Sequence, residues 1–122
     1  MKPIVWVGSS REDLRAFPPP VRRLVGLALR TAQAGEKHPD AKPLRGYHGA
    51  AVLEVAADDQ GATYRVAYTV RFGEAVAVLH CFQKKSTRGI ATSQQDLDLI
   101  DARLRRAQQM HEQYVREQGR SD

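Results

Sequence analysis

Residues 62–72, ATYRVAYTVRF, alternate from one side chain to the next, and this pattern constrains the chain more than any other. A period of two puts Tyr64, Val66, Tyr68, Val70 and Phe72 on one face of a strand, and Arg65, Ala67, Thr69 and Arg71 on the other. Residues 50–57 read as a preceding strand, joined through a turn at Asp58-Asp59-Gln60-Gly61. Gly73 and Glu74 turn the chain again, into a third strand over residues 75–83. Turns this short make neighbouring strands antiparallel, so the centre of the chain is a three-strand meander.

Helical periods flank it. Ile4-Val5-Trp6-Val7 is a short apolar strand that ends at Gly8 and two serines. Ser9 or Ser10 can cap a helix whose first turn holds Glu12 and Asp13, where the dipole favours acids. Phe17 precedes a proline, so this helix is short or kinked. Pro20 fits the first turn of a second helix, from Val21 to about Ala34, with an apolar stripe of Val21, Leu24, Val25, Ala28 and Ala32 and a stop at Gly35. Residues 36–49, rich in Pro, Gly and charge, read as a loop. Ser93 opens a last helix with Asp96 three residues on, a variant of the capping box. Leu97, Ile100, Leu104, Ala107, His111 and Tyr114 recur along it at helical spacing and read as its packed face. Strand, two helices, three strands and a helix make a small α+β fold, and 122 residues suit one domain over 1–122.

Several function classes drop out. Cys81 is the single cysteine, so no internal disulfide forms, and no apolar run approaches the ~20 residues that span a bilayer. The apolar N-terminal stretch stops after Val7, too early for a signal peptide, so a cytoplasmic protein is expected. The four His and one Cys show no metal-ligand spacing, and neither a metal nor a cofactor is expected. The formal net charge is +5, and most of it lies in residues 62–95, where Arg65, Arg71, Lys84, Lys85 and Arg88 face only Glu74. A clustered basic field suits a polyanion, although scattered solubilising charge would give the same total.

The stretches DLRAFPPPVRRLVGLALRTAQAGE, KPLRGYHGAAVLEV, TYRVAYTVRFGEAVAVLHCFQKKSTRG and DLDLIDARLRRA resemble the RelE/ParE superfamily of bacterial toxins, and within it the HigB-like, phage-derived branch. Tyr64-Arg65-Val66, followed by a strand that ends Phe82-Gln83-Lys84-Lys85, is the most specific part. The resemblance implies the toxin of a type II toxin–antitoxin system, an endoribonuclease that cuts mRNA on the ribosome and is neutralised by a helix-turn-helix antitoxin. A ParE-like inhibitor of DNA gyrase, or a degenerate member that only binds its antitoxin, are the alternatives. Many relatives carry Glu-Leu-Arg in the strand where this chain has Glu54-Val55-Ala56, so one cation of the RNA-binding concavity is missing.

Metal-free RNA cleavage needs a base for the 2′-hydroxyl, cations for the phosphorane and an acid for the leaving oxygen. Arg65 is the candidate phosphate clamp, because guanidinium binds phosphate oxygens two at a time; as a half-exposed strand residue it should add little to packing. Lys84 and Lys85 leave the strand end on opposite faces, so one of them suits proton transfer and Lys84, in register with Phe82 and His80, is the stronger candidate. His80 is a further acid–base candidate, with a packed core histidine as its plainer reading. Lys42, Arg45, His48, Arg71 and Arg88 are the expected RNA-binding residues.

Overall fold

The computed structural model describes residues 1–44, 51–84 and 92–119. In chain order the elements are β1 (Ile4–Trp6), α1 (Ser10–Arg15), α2 (Pro19–Gln33), β2 (Lys42–Pro43), β3 (Leu53–Asp59), β4 (Ala62–Thr69), β5 (Val76–Lys84) and α3 (Gln94–Gly119). The strands form one sheet in the order β1-β5-β4-β3-β2. β3, β4 and β5 are the expected antiparallel meander. Two strands extend it: β1 lies parallel to β5, and β2 pairs with β3 inside the stretch that reads as a loop.

The local chemistry accounts for most boundaries. Pro19 and Pro20 open α2, whose buried face is Val21, Val25, Ala28, Leu29 and Ala32. Gly35, at φ +87°, takes the chain out of it. The β3–β4 turn is tighter than the sequence suggests. Gln60 and Gly61, at φ +48° and +84°, make a two-residue hairpin of the type that matches strand twist, so both strands run right up to it. Ser93 caps α3: its Oγ accepts the Asp96 amide at 3.2 Å and donates to Asp96 Oδ2 at 2.7 Å.

β4 ends earlier than its alternation predicts. Opposite the Ala67/Tyr68 step the pairing jumps from His80 to Val78, so Leu79 is an extra residue in β5. Thr69 then turns its hydroxyl onto the Ala51 carbonyl and accepts the Arg71 amide at 3.1 Å, which takes the chain off the ladder. Val70 is consequently exposed, and Phe72 packs with the opposite face from Tyr64, Val66 and Tyr68.

Two cores result. α1 and α2 cover one sheet face, where Phe17, Val21, Val25 and Leu29 meet Val55, Val66, Tyr68, Val76, Val78 and Cys81. α3 covers the other, where Ile100, Leu104 and Ala107 meet Ala67, Ala77, Leu79 and Phe82. His111 stacks on Phe72 with ring centroids 5.2 Å apart, and beyond that contact α3 outruns the sheet. Tyr114 is therefore 46% exposed rather than packed. Arg103 of α3 clasps the two layers: it donates to the Leu79 carbonyl at 2.9 Å and to Ser9 Oγ at 3.1 Å. Gly8, at φ +59°, makes room for it, since a Cβ there would lie 2.7 Å from Arg103 Nε.

Candidate functional site

The sheet register brings the polar residues together. Directly opposed residues on paired strands point to the same face. One row across the α3 face is Lys42, Glu54, Ala67 and His80, taken from β2 to β5. The next is Ala56, Arg65 and Phe82, and the third is Asp58, Thr63 and Lys84. Ala67 and Phe82 place these rows under α3. Lys42, Arg65, His80 and Lys84, widely spaced in the sequence, thus share one surface.

Arg65 is not the half-exposed residue that alternation suggests; it is 6% exposed. Its Nη1 donates to Glu54 Oε2 at 3.3 Å and to Thr92 Oγ1 at 3.2 Å. Thr92, just ahead of the α3 cap and itself buried, closes over it. The buried Nε–H of Arg65 has no acceptor among the described residues. Its guanidinium is thus anchored through Nη1.

His80 is held more completely. Its Nε2 lies 2.8 Å from Asp96 Oδ1, and its ring stacks on Phe82 at a centroid distance of 4.5 Å. Asp96 Oδ2 also accepts the Ser93 hydroxyl, so the residues that cap α3 pin the helix to β5. The other nitrogen, Nδ1, is buried without a partner among the described residues. Neither ring nitrogen faces solvent, so the geometry fits the packed-histidine reading.

An open concavity of about 760 Å³ lies over the β2–β3–β4 half of this face, lined by Asp40, Lys42, Pro43, Leu44, Glu54, Ala56 and Arg65. Ala56 sits directly opposite Arg65, at the position where many relatives of this type have an arginine, and its methyl group leaves space beside the guanidinium. The concavity is therefore lined by two cations, Lys42 and Arg65, and two carboxylates, Asp40 and Glu54, with Glu54 between the cations in the register.

Lys84 follows Phe82 on the same face, two residues along β5, but does not line the concavity. Arg71 lies past the end of β4 opposite the hairpin, away from Arg65. Arg45, His48, Lys85 and Arg88 fall outside the described residues. Sequence reasoning missed Glu54, Thr92 and Asp96 as members of the site. Glu54 carries a usable signal, as the acid that opens the Glu54-Val55-Ala56 segment. Among the described residues no three His, Cys, Asp or Glu side chains converge as metal ligands, and no helix is long and apolar enough to cross a membrane.

No curated protein matches the chain. Among solved structures, a chain of the toxin–antitoxin complex RelBE2 from Mycobacterium tuberculosis is similar at 22% identity and a TM-score of 0.42, over 70% of this chain and 93% of that one. Residues 12–105 match the model of the phage-derived protein Gp49-like family (DUF891). That span covers the helical hairpin, the meander and the first half of α3, and the chain accordingly belongs to this family, one of RelE/HigB-type toxins.

Proposed function

We propose that the chain is the toxin of a toxin–antitoxin pair, and that it cuts mRNA without a metal by turning the RNA's own 2′-hydroxyl on the adjacent phosphate. A single domain over residues 1–122 acts in the cytoplasm on mRNA carried by the ribosome, and a helix-turn-helix antitoxin holds it in check. Membership of the family supports the toxin role. For the chemistry, the supporting observation is Arg65, a guanidinium anchored on one side by Glu54 and Thr92 and lining an open concavity beside Lys42. A fixed cation at the edge of an open concavity can bind a phosphate and then stabilise the extra charge of the phosphorane without reorganising.

The test incubates the purified protein with a defined mRNA, with and without ribosomes, in excess EDTA. Cleavage that leaves a 2′,3′-cyclic phosphate is the expected result. Expression without the antitoxin should arrest growth with loss of mRNA. Intact mRNA together with blocked DNA supercoiling would replace this reading by gyrase inhibition. Normal growth while folded protein accumulates would leave a chain that only binds its antitoxin.

A further inference from the structure

We propose that Glu54 is the general base of the site, the group that takes the proton of the attacking 2′-hydroxyl. This rests on the ribonuclease reading and goes beyond it, since that reading names a clamp and no base.

The argument begins with placement. The attacking oxygen must approach within ~3–3.5 Å of the phosphorus, so the base must neighbour the phosphate clamp. Glu54 and Arg65 satisfy that condition, with Oε2 and Nη1 3.3 Å apart, and both line the concavity. The other candidates meet it less well. His80 has one nitrogen on Asp96 and the other buried, and Lys84 is not among the lining residues. Asp40, the other lining carboxylate, is 62% exposed and pairs with His38 instead of Arg65. Lys42, directly across the β2–β3 ladder from Glu54, brings a second cation to the same edge, where it can hold an RNA phosphate.

Protonation chemistry agrees. A carboxylate has two oxygens and about four lone-pair sites. The bond to Arg65 uses one of these, so Glu54 can accept a hydroxyl proton while still holding the arginine. The side chain keeps 16% of its surface exposed, whereas Arg65 keeps 7%, so the carboxylate is the more accessible member of the pair. Ala56 leaves the space beside Arg65 that a ribose and its phosphate would occupy.

The step balances without any co-reactant. Glu54 takes the 2′-hydroxyl proton as the 2′-oxygen bonds to phosphorus, and the bond from phosphorus to the 5′-oxygen breaks. The leaving 5′-oxygen takes a proton from water, and Glu54 returns its proton to the solvent. The products are a 2′,3′-cyclic phosphate and a 5′-hydroxyl, with no change of oxidation state.

Glu54→Gln and Glu54→Asp test the assignment. Each is purified, its urea midpoint is measured, and single-turnover cleavage of mRNA is followed in the assay that establishes the wild-type activity. Binding is measured separately, with an RNA carrying a 2′-deoxy group at the cut site. Glu54→Gln should lower the rate by about 10²–10⁴-fold, with binding no weaker than wild type. Glu54→Asp, which keeps a carboxylate, should retain a substantial part of the rate. A purely structural Glu54 predicts another pattern. The glutamine carbonyl still accepts from Arg65, so the rate would stay as in wild type, and that result overturns the proposal. A loss of binding that accounts for the whole loss of rate in both variants also overturns it. If the wild-type protein leaves mRNA intact, the ribonuclease reading falls first and takes the base with it.

Discussion

The two faces of the sheet are built from the same strands and differ in how completely they are packed. Under α1 and α2 the face is closed and apolar, and Tyr68 carries the one aromatic hydroxyl fully buried there among the described residues. Under α3 the apolar contacts stop midway across. Ala67, Leu79 and Phe82 are covered, while Glu54, Ala56 and Arg65 border open space. Neighbours on β4 show the contrast in one step: Val66 is fully buried in one core, and Arg65, one residue earlier, is buried against a carboxylate on the other side. A closed apolar face supplies stability without chemistry. On a half-covered face the desolvated charges have fixed partners and an opening through which a substrate can reach them.

Substituting those neighbours gives the largest expected effect. Arg65→Ala removes the partner of a mostly buried carboxylate and should destabilise the fold by about 3 kcal/mol, at the low end for such pairs because Glu54 keeps some exposure. Cleavage should fall by roughly 10²–10³-fold even where the variant is folded. Val66→Ala should cost about 2 kcal/mol through the cavity it leaves, with the rate of the folded fraction unchanged. Urea midpoints and single-turnover rates on both variants decide the matter. Equal losses of rate would mean that the two faces are not functionally distinct.

The next effect concerns how α3 is held across its face. Gly8→Ala places a methyl group 2.7 Å from Arg103 Nε at a backbone φ of +59°, so it meets conformational strain and also displaces a clasp. A loss of about 2–3 kcal/mol is expected, roughly one for the backbone and the rest for the Arg103 bonds to Leu79 and Ser9. In the background of Arg103→Ala the same glycine substitution should cost only the backbone share. A cost that is the same in both backgrounds would show that the clasp contributes nothing through Gly8.

How much of this was legible in the sequence follows the same division. Periodicity and capping chemistry are local, so the hairpin helices, the meander and the Ser93 cap could be read directly. The parallel β1–β5 pairing and the two-residue β2 are stabilised by distant partners and leave almost no local trace. The extra residue at Leu79 lies between Val78 and His80 with no glycine or proline to mark it. The break at Thr69 is equally unmarked, so alternation places Phe72 on the wrong face. Arg65 could be found because it belongs to a family motif. Its burial could not, because that depends on Thr92, 27 positions away, folding over it. Glu54 joins the site only once the β3–β4 register sets it diagonally from Arg65.

The smallest effect isolates the closed face by its titration. Burial raises the Tyr68 phenol above its usual value of 10.0, and it raises the Cys81 thiol from 9.0 to about 12, with the nearby Asp13 charge adding to that shift. Both groups hold their protons more tightly when folded. Their contribution to stability is therefore complete below about pH 9, where the unfolded thiol begins to ionise. It is lost progressively as the pH rises through 10 towards 12, because the unfolded chain gives up protons that the folded chain retains. Tyr68→Phe removes one of the two groups and also a buried hydroxyl that has no partner among the described residues. It should stabilise the protein by about 1 kcal/mol near pH 8, since the apolar ring loses nothing by burial. Between pH 9 and 11 its urea midpoint should fall less than that of wild type. A midpoint that falls by the same amount in both proteins would mean that the Tyr68 hydroxyl reaches water in the folded state, and the α1–α2 face could then no longer be called closed.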